Sequence, residues 1–536
     1  MNYQKTSKTH FDFSTIGSAR QVCLPINVEY LIPEDDPVRL IDLVLSEMDY
    51  ASLNQTYSAE GRNPAVYPVT LFKVMVYAYS RGINSSREIE KACRRDLCFK
   101  YLLGAEKIPD HNTIARFRKN HLKYCIDDLF SQMIDILAAN EEIRFENLFV
   151  DGTKIEANAN KYTFVWQKAT EKHMSKLQTD LRTFIEKELE IRLAVDIIDS
   201  AFTLRILKQL KNEIKRKHIT FVYGKGRHKT ELQRQYDKLA EYTERLEKYE
   251  YYLNLFDGRN SFSKTDTDAT FMHMKEDHMR NSQLKPGYNV QVGVESEYIV
   301  GVTVSADRDD VNTLKPFLEK IKTAYGRTYS NLIADAGYES EENYTYLKQE
   351  NIRSFIKPSD YEYSKTKKYQ KAMEFRNSME YDPETDTYTC KHGRRFVFEK
   401  VRRKKTGSGF VTSSRVYRCE SCAGCPYLGK CYKGIHSKSI WVNEVFDAFR
   451  QESLKNITSD EGILLRVNRS IQAEGVFGIT KQDMGFTRFL TRGNENVYVE
   501  YMLLAFGFDL NKLHSRIGSG RFGESLFIPE ELANTA

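Results

Sequence analysis

Two aspartates follow short apolar runs in the same way. In NLFVDGTKIEANAN, Leu148, Phe149 and Val150 lead to Asp151 and Gly152; in NLIADAGY, Leu332, Ile333 and Ala334 lead to Asp335, Ala336 and Gly337. Asp is a weak strand former and costly to bury, so its repetition after two strand-like runs needs a reason. A third carboxylate, Glu474, stands in the helical stretch RSIQAEGVFGITK, with Arg466 and Lys481 each about two turns away. Carboxylates that converge from separate elements repel unless a proton or a cation compensates. Hard oxygen ligands suit Mg²⁺. Two such ions about 3.5–4 Å apart activate a nucleophile and stabilise the leaving oxygen in phosphoryl transfer. Singly, each residue has a plainer reading: a strand-end Asp caps a turn, and a helix Glu between Arg and Lys forms a surface ion pair.

The elements that must position these residues read as follows. Helical spacing begins at Pro37 (PVRLIDLVLSEMDY), again over Pro68–Ile83, and in SSREIEKACRRDLCFKYLLG behind a Ser cap. A short basic helix over Pro109–Leu122, capped by Asp110 or Asn112, carries Arg116, Arg118 and Lys119. Such an array suits DNA contact, and equally an ordinary helical domain with a solvated basic face. A strand over residues 148–157 contains Asp151 or ends at it. Met174, Leu177, Leu181 and Phe184, then Leu232, Leu239, Leu246 and Leu253 at sevens, predict a helical hairpin or short coiled coil over 165–256, with Gly224–Lys229 as its basic turn. Gly287–Ser296 and Tyr298–Ala306 flank Glu297 as an antiparallel hairpin. Helix, strand, helix and strand follow to IRSFIKP, which makes the class α/β. The expected division is a helical N-terminal domain over 1–145, a sheet core over 146–164 and 257–360 with the hairpin 165–256 between them, a basic Cys-rich segment over 361–445, a helical part over 446–516 and a tail over 517–536.

The chain of 536 residues is 41% hydrophobic and 29% charged, with a net charge of only +6. The opening MNYQKTSKTH lacks the apolar stretch of a signal peptide, and no run is long enough to span a bilayer. A cytoplasmic protein is expected. Charge is concentrated between Lys391 and Ile440, where thirteen Lys and Arg face two acids, a field suited to a polyanion. The same stretch holds clustered cysteines. Cys23, Cys93, Cys98 and Cys125 lie scattered among helices as small hydrophobes. Cys390, Cys419, Cys422, Cys425 and Cys431 lie close together, which in a reducing compartment favours metal over disulfide. Cys390, Cys422, Cys425 and Cys431 form the preferred set for a structural Zn²⁺. Cys419 is then spare and His392 an outside candidate; reduced free thiols are the alternative.

These motifs together resemble those of bacterial insertion-sequence transposases of the DDE type. LFVDGTKIEANANKYTFVWQK is similar to the family's first-Asp motif, LIADAGYESEENYTYL to its second, and RSIQAEGVFGITKQDMGFTRFLTRG to its Glu motif. YPVTLFKVMVYAYSRGINSSREIEKACRRD with PDHNTIARFRKNHL resembles the helical domain ahead of the core. The resemblance covers about residues 30 to 515 in the expected order. It implies a ribonuclease-H-like mixed sheet with Asp151, Asp335 and Glu474 holding two Mg²⁺ (or Mn²⁺) ions. Water would cleave DNA at the element's ends, and the freed 3′-hydroxyl would attack target DNA, with no covalent protein–DNA link. Double-stranded DNA is the implied partner and a homodimer the implied working unit. Related transposases flank the Glu with an Arg and a Lys at gaps of three and six residues. Here Lys481 keeps its gap, whereas Arg469 has four residues between. Arg488 and Arg492 are further candidates for phosphate contact. Asp266, Asp268 and Lys275 are candidates for the rim of the site, or structural. Other readings are a non-catalytic DNA-binding regulator derived from a transposase, and a metal-dependent nuclease without strand transfer.

Overall fold

The structure, a computed structural model, describes residues 28–58, 60, 63–224, 228–274, 283–371, 376–434 and 436–528. Cys23, Lys275 and part of the Gly224–Lys229 turn lie outside the described residues. Among the described residues eight strands precede the Cys-rich segment: β1 (Asn147–Glu156), β2 (Phe164–Trp166), β3 (Ser261–Ser263), β4 (Thr270–His273), β5 (Leu284–Glu295), β6 (Tyr298–Ser305), β7 (Asn331–Ala334) and β8 (Arg353–Ile356). β2 and β3 form a separate two-stranded ribbon, and the other six make one mixed sheet.

β1 lies inside that sheet. It runs parallel to β7, which runs parallel to β8, and antiparallel to β5; β5 pairs along its other edge with β4 and β6. Leu148, Phe149 and Val150 are buried, as befits a central strand covered on both faces. The β1–β7 register sets Val150 opposite Ala334, so Asp151 and Asp335 follow the same paired rung. The expected β5–β6 hairpin forms through Ser296 and Glu297, whose φ values of 53° and 68° are those of a two-residue turn with left-handed central residues.

The helical N-terminal region and the sheet share one hydrophobic core. Their link is the C-terminal helix Asn494–Ser519, buried almost all round between the helix Pro68–Ser80 and β6. Close approach there requires Gly507, because a Cβ at that position would sit 2.5 Å from Ser80 N. Arg118, expected with Arg116 and Lys119 to contact DNA from an exposed basic face, is instead turned inward: it is buried and donates to Tyr79 Oη at 2.7 Å. Its neighbours Arg116 and Lys119 are exposed.

The segment after β2 differs from the expected hairpin in having three helices, Gln167–Lys187, Ser200–Arg216 and Glu231–Phe256. Asp199 caps the unexpected middle helix by accepting from Phe202 N at 2.7 Å. Ile206 from this helix joins Leu177, Leu181, Leu239 and Leu246 in a separate small core. The Cys-rich segment forms a five-stranded antiparallel sheet of β9 (Glu380–Asp382), β10 (Thr387–Thr389), β11 (Arg395–Lys405), β12 (Val411–Cys419) and β13 (Ser439–Val442), with its own core around Phe396, Tyr417 and Ile440.

Candidate active site

Asp151 is 8% exposed, and its Oδ1 accepts from Gly152 N at 2.8 Å. Asp335 caps the short turn Ala336–Tyr338, accepting from Gly337 N at 2.8 Å. Glu474 arrives on an unusual helix. After Asp460–Arg469 the backbone widens into a π turn over Ser470–Glu474, returns to α over Gly475–Gly478, and widens again over Ile479–Asp483. In a π turn residue i aligns with i+5 rather than i+4. Arg469 is five residues before Glu474, and its Nη2 donates to Glu474 Oε1 at 3.0 Å. The gap of four residues between them, irregular for an α-helix, is therefore the one that this turn brings into register.

The same guanidinium reaches the sheet. Arg469 Nη1 stands 3.8 Å from Asp151 Oδ2 and, although buried, has no hydrogen-bond partner. One cation thus spans Asp151 and Glu474, and supplies the compensation that neighbouring carboxylates require. Among the described residues no three His, Cys, Asp or Glu side chains close around a common point as the ligands of an ion would.

Behind the aspartates lies a polar network that the sequence reading did not select. Asn289 and Gln291, both fully buried on β5, donate to Asp310 Oδ1 at 2.7 and 3.0 Å. Gln291 accepts in turn from the buried Tyr338 hydroxyl. Burial raises the Tyr338 pKa far above that of a free phenol; Asp310, Asp151 and Asp335 raise it further, and Arg469 opposes them. The signal in the sequence was Asn289 and Gln291 themselves, two amides on one face of a strand whose other face is Tyr288, Val290, Val292 and Val294.

The remaining candidates divide. Asp266 accepts from Tyr288 Oη at 2.9 Å and from Gly493 N at 3.1 Å, and burial raises its pKa; Asp268 accepts from Asn494 N at 2.8 Å. Both hold the loop ahead of the C-terminal helix, a structural role. Arg488 and Arg492 donate to the backbone carbonyls of Ala157, Ala159 and Asn158 beyond β1. Lys481 lies half-buried on the second π turn. Cys390, Cys419, Cys422, Cys425 and Cys431 line one small cavity with His392 and Lys438. Burial, then the Cys422 thiol, pushes the Cys419 thiol up to about 12. Lys438 approaches two of the sulfurs, with its backbone N 3.5 Å from Cys422 Sγ and its Nζ 3.5 Å from Cys431 Sγ.

Residues 389–514 match the family model "Transposase DDE domain", and residues 26–120 match "Transposase domain (DUF772)". The first range holds strands β11, β12 and β13 of the Cys-rich sheet, Arg469, Glu474 and most of the C-terminal helix; Asp151 and Asp335 lie outside both ranges. No curated protein matches the chain. The two matches indicate an insertion-sequence transposase of the DDE type. Transposases act on DNA, and the family's domains are generally divalent-metal dependent. No helix among the described residues is long and apolar enough to cross a membrane.

Proposed function

We propose that the protein cleaves double-stranded DNA at the ends of its element and transfers the freed strands into target DNA, using divalent cations held by Asp151, Asp335 and Glu474. The observation that carries this reading is the single guanidinium of Arg469 between Asp151 and Glu474, with Asp151 and Asp335 each directly after the paired rung Val150–Ala334. The strand order β6-β5-β1-β7-β8, with β1, β7 and β8 parallel and β5 and β6 antiparallel, supports a ribonuclease-H-like core. On that core the three-helix unit and the Cys-rich sheet are insertions. The donor set suits a hard cation, being carboxylate oxygen throughout. Bound there, two Mg²⁺ or Mn²⁺ ions would supply activation of the attacking hydroxyl and compensation of charge at the phosphate.

The chain's own residues do the positioning. β1 holds Asp151 in a buried, hydrogen-bonded strand, β7 ends directly before Asp335, and the π turn brings Glu474 against the Arg469 that also faces Asp151. Arg469 Nη1, buried and without a hydrogen-bond partner, is placed to receive a phosphate oxygen. The exposed Arg116 and Lys119 and the exposed Arg402, Arg403, Lys404 and Lys405 of β11 offer phosphate contacts away from the chemistry. Lys481, on the second π turn after Glu474, and Arg488 and Arg492, beside the chain that leaves β1, are further candidates for phosphate contact. Two protomers acting on paired ends complete the reading, as the resemblance implies.

The test is a cleavage assay with the full chain on duplex DNA carrying the element's ends. Nicking at the ends and joined products are expected with Mg²⁺ or Mn²⁺ and neither with chelator. Tight binding without cleavage in either metal would leave a DNA-binding regulator, and cleavage without joining a nuclease. The Cys cavity gives a separate expectation. Its thiols, approached by the Lys438 N–H groups, suit a structural Zn²⁺ at Cys390, Cys422, Cys425 and Cys431. Metal analysis under reducing conditions near neutral pH should find about one zinc per chain, and a metal-free protein would refute the site.

A further inference from the structure

Asp310 belongs to none of the motifs described above. It lies in SADRDDVN, beside Asp307 and Asp309, where three acids in four residues read as a solvated loop. The structure separates it from them. Asp309 is exposed, and Asp307 turns back on its own loop to accept from Asp309 N and from Asn312 Nδ2. Asp310 faces the sheet, where two buried amides fix its Oδ1.

Both aspartate motifs direct their glycines at this carboxylate. A Cβ at Gly152 would stand 2.8 Å from Asp310 Oδ1 and 2.5 Å from Gln291 Nε2. A Cβ at Gly337 would stand 2.9 Å from Asp335 Oδ1 and 3.6 Å from Asp310 Oδ2. Gly152 lies on β1 and Gly337 on the turn after β7, widely separated in the chain, yet each leaves open the space beside the same carboxyl group. Asp310 Oδ2 and Asp335 Oδ1 therefore flank one point. A carboxylate pinned by two amides on one oxygen, with its other oxygen turned toward a second carboxylate, is poised for a shared cation, because like charges so close repel without one.

We propose that Asp310 is a fourth carboxylate of the active site and ligates the divalent cations together with Asp151, Asp335 and Glu474. The proposal rests on the reading that this cluster holds such cations. Asn289 and Gln291 are its positioning residues, and through Gln291 the Tyr338 hydroxyl links the Asp335 turn to the same network.

The test measures Mn²⁺ binding to the full chain by the electron paramagnetic resonance of free Mn²⁺, in wild type, Asp310→Asn, Asp310→Ala and Asp151→Asn. Asp310→Asn keeps the shape and the oxygen that accepts from both amides and loses only the charge. It is expected to weaken Mn²⁺ binding by about tenfold or more without lowering the thermal midpoint, and to bind as poorly as Asp310→Ala. If Asp310→Asn binds Mn²⁺ like wild type while Asp151→Asn does not, Asp310 is structural and the proposal fails alone. Equal binding in all four proteins would overturn it together with the metal site on which it rests.

Discussion

Asp151→Asn is expected to lower end cleavage by on the order of 10³-fold, ~4 kcal/mol of transition-state stabilisation, while DNA affinity and folding stay as in wild type. The substitution is isosteric. The side-chain oxygen still accepts from Gly152 N, and β1 keeps its pairing with β5 and β7. What is lost is one negative charge at the point where Arg469 Nη1 now approaches to 3.8 Å. Arg469 retains Glu474 at 3.0 Å, so no cation is stranded and stability should not fall. DNA affinity should be unaffected because the exposed basic residues of the N-terminal helices and β11 stand on other elements. Single-turnover cleavage of end-bearing duplex and fluorescence anisotropy on the same duplex check the two halves. Cleavage within tenfold of wild type would remove Asp151 from the chemistry. Loss of binding in parallel with cleavage would mean that Asp151 supports the DNA interface instead.

The parts of this site legible in the sequence were those carried by local pattern. Leu148–Val150 and Leu332–Ala334 are short apolar runs with a carboxylate directly after them, and local pattern is enough to make each a buried strand. Their parallel pairing, Val150 opposite Ala334, is a tertiary choice between segments far apart in the chain, and periodicity contains nothing about it. Glu474 was legible as a helix residue but not its register. A period of 3.6 puts Arg469 slightly off the face of Glu474, and only the π turn, which nothing in side-chain spacing announces, brings them together. Arg118 was misplaced for a related reason: on a short helix rich in Arg and Lys, charge suggests an exposed face that meets water or DNA, whereas the buried Tyr79 hydroxyl accepts its guanidinium in the interior. The helix Ser200–Arg216 was hidden because its apolar residues complete a core supplied mainly by its two neighbours. Asp310 was hidden by its own company, since acids at 307, 309 and 310 differ only in which one the sheet amides capture.

The largest expected loss of stability is at Arg516, far in sequence from β1 but tied to it through the sheet. Its side chain is 1% exposed and forms a close ion pair at 2.8 Å with Glu142, which is fully buried. Arg516 also donates to Ser296 O at 3.1 Å in the β5–β6 turn and to the Glu524 carbonyl, and stands 3.8 Å from Glu297. Glu142 accepts in addition from Tyr298 Oη at 2.8 Å and Gly523 N at 2.6 Å. Arg516→Met keeps most of the volume and removes the charge. Lys512 and Arg521 still compensate Glu297, but Glu142 is left with neutral donors alone. Breaking a buried pair from one side typically costs about 3–5 kcal/mol, a large share of the stability of a folded protein. The urea midpoint of Arg516→Met should fall accordingly, and Glu142→Gln added to it should restore much of the loss, because the stranded charge is then gone. A shift under about 1 kcal/mol in Arg516→Met would show that Tyr298 and Gly523 suffice for Glu142. The same variant bears on function through geometry, since Ser296 and Glu297 end the hairpin whose strand β5 carries Asn289 and Gln291. Loosening that turn should reduce cleavage before it reduces DNA binding, because the carboxylate site depends on the sheet's register and the exposed basic residues do not.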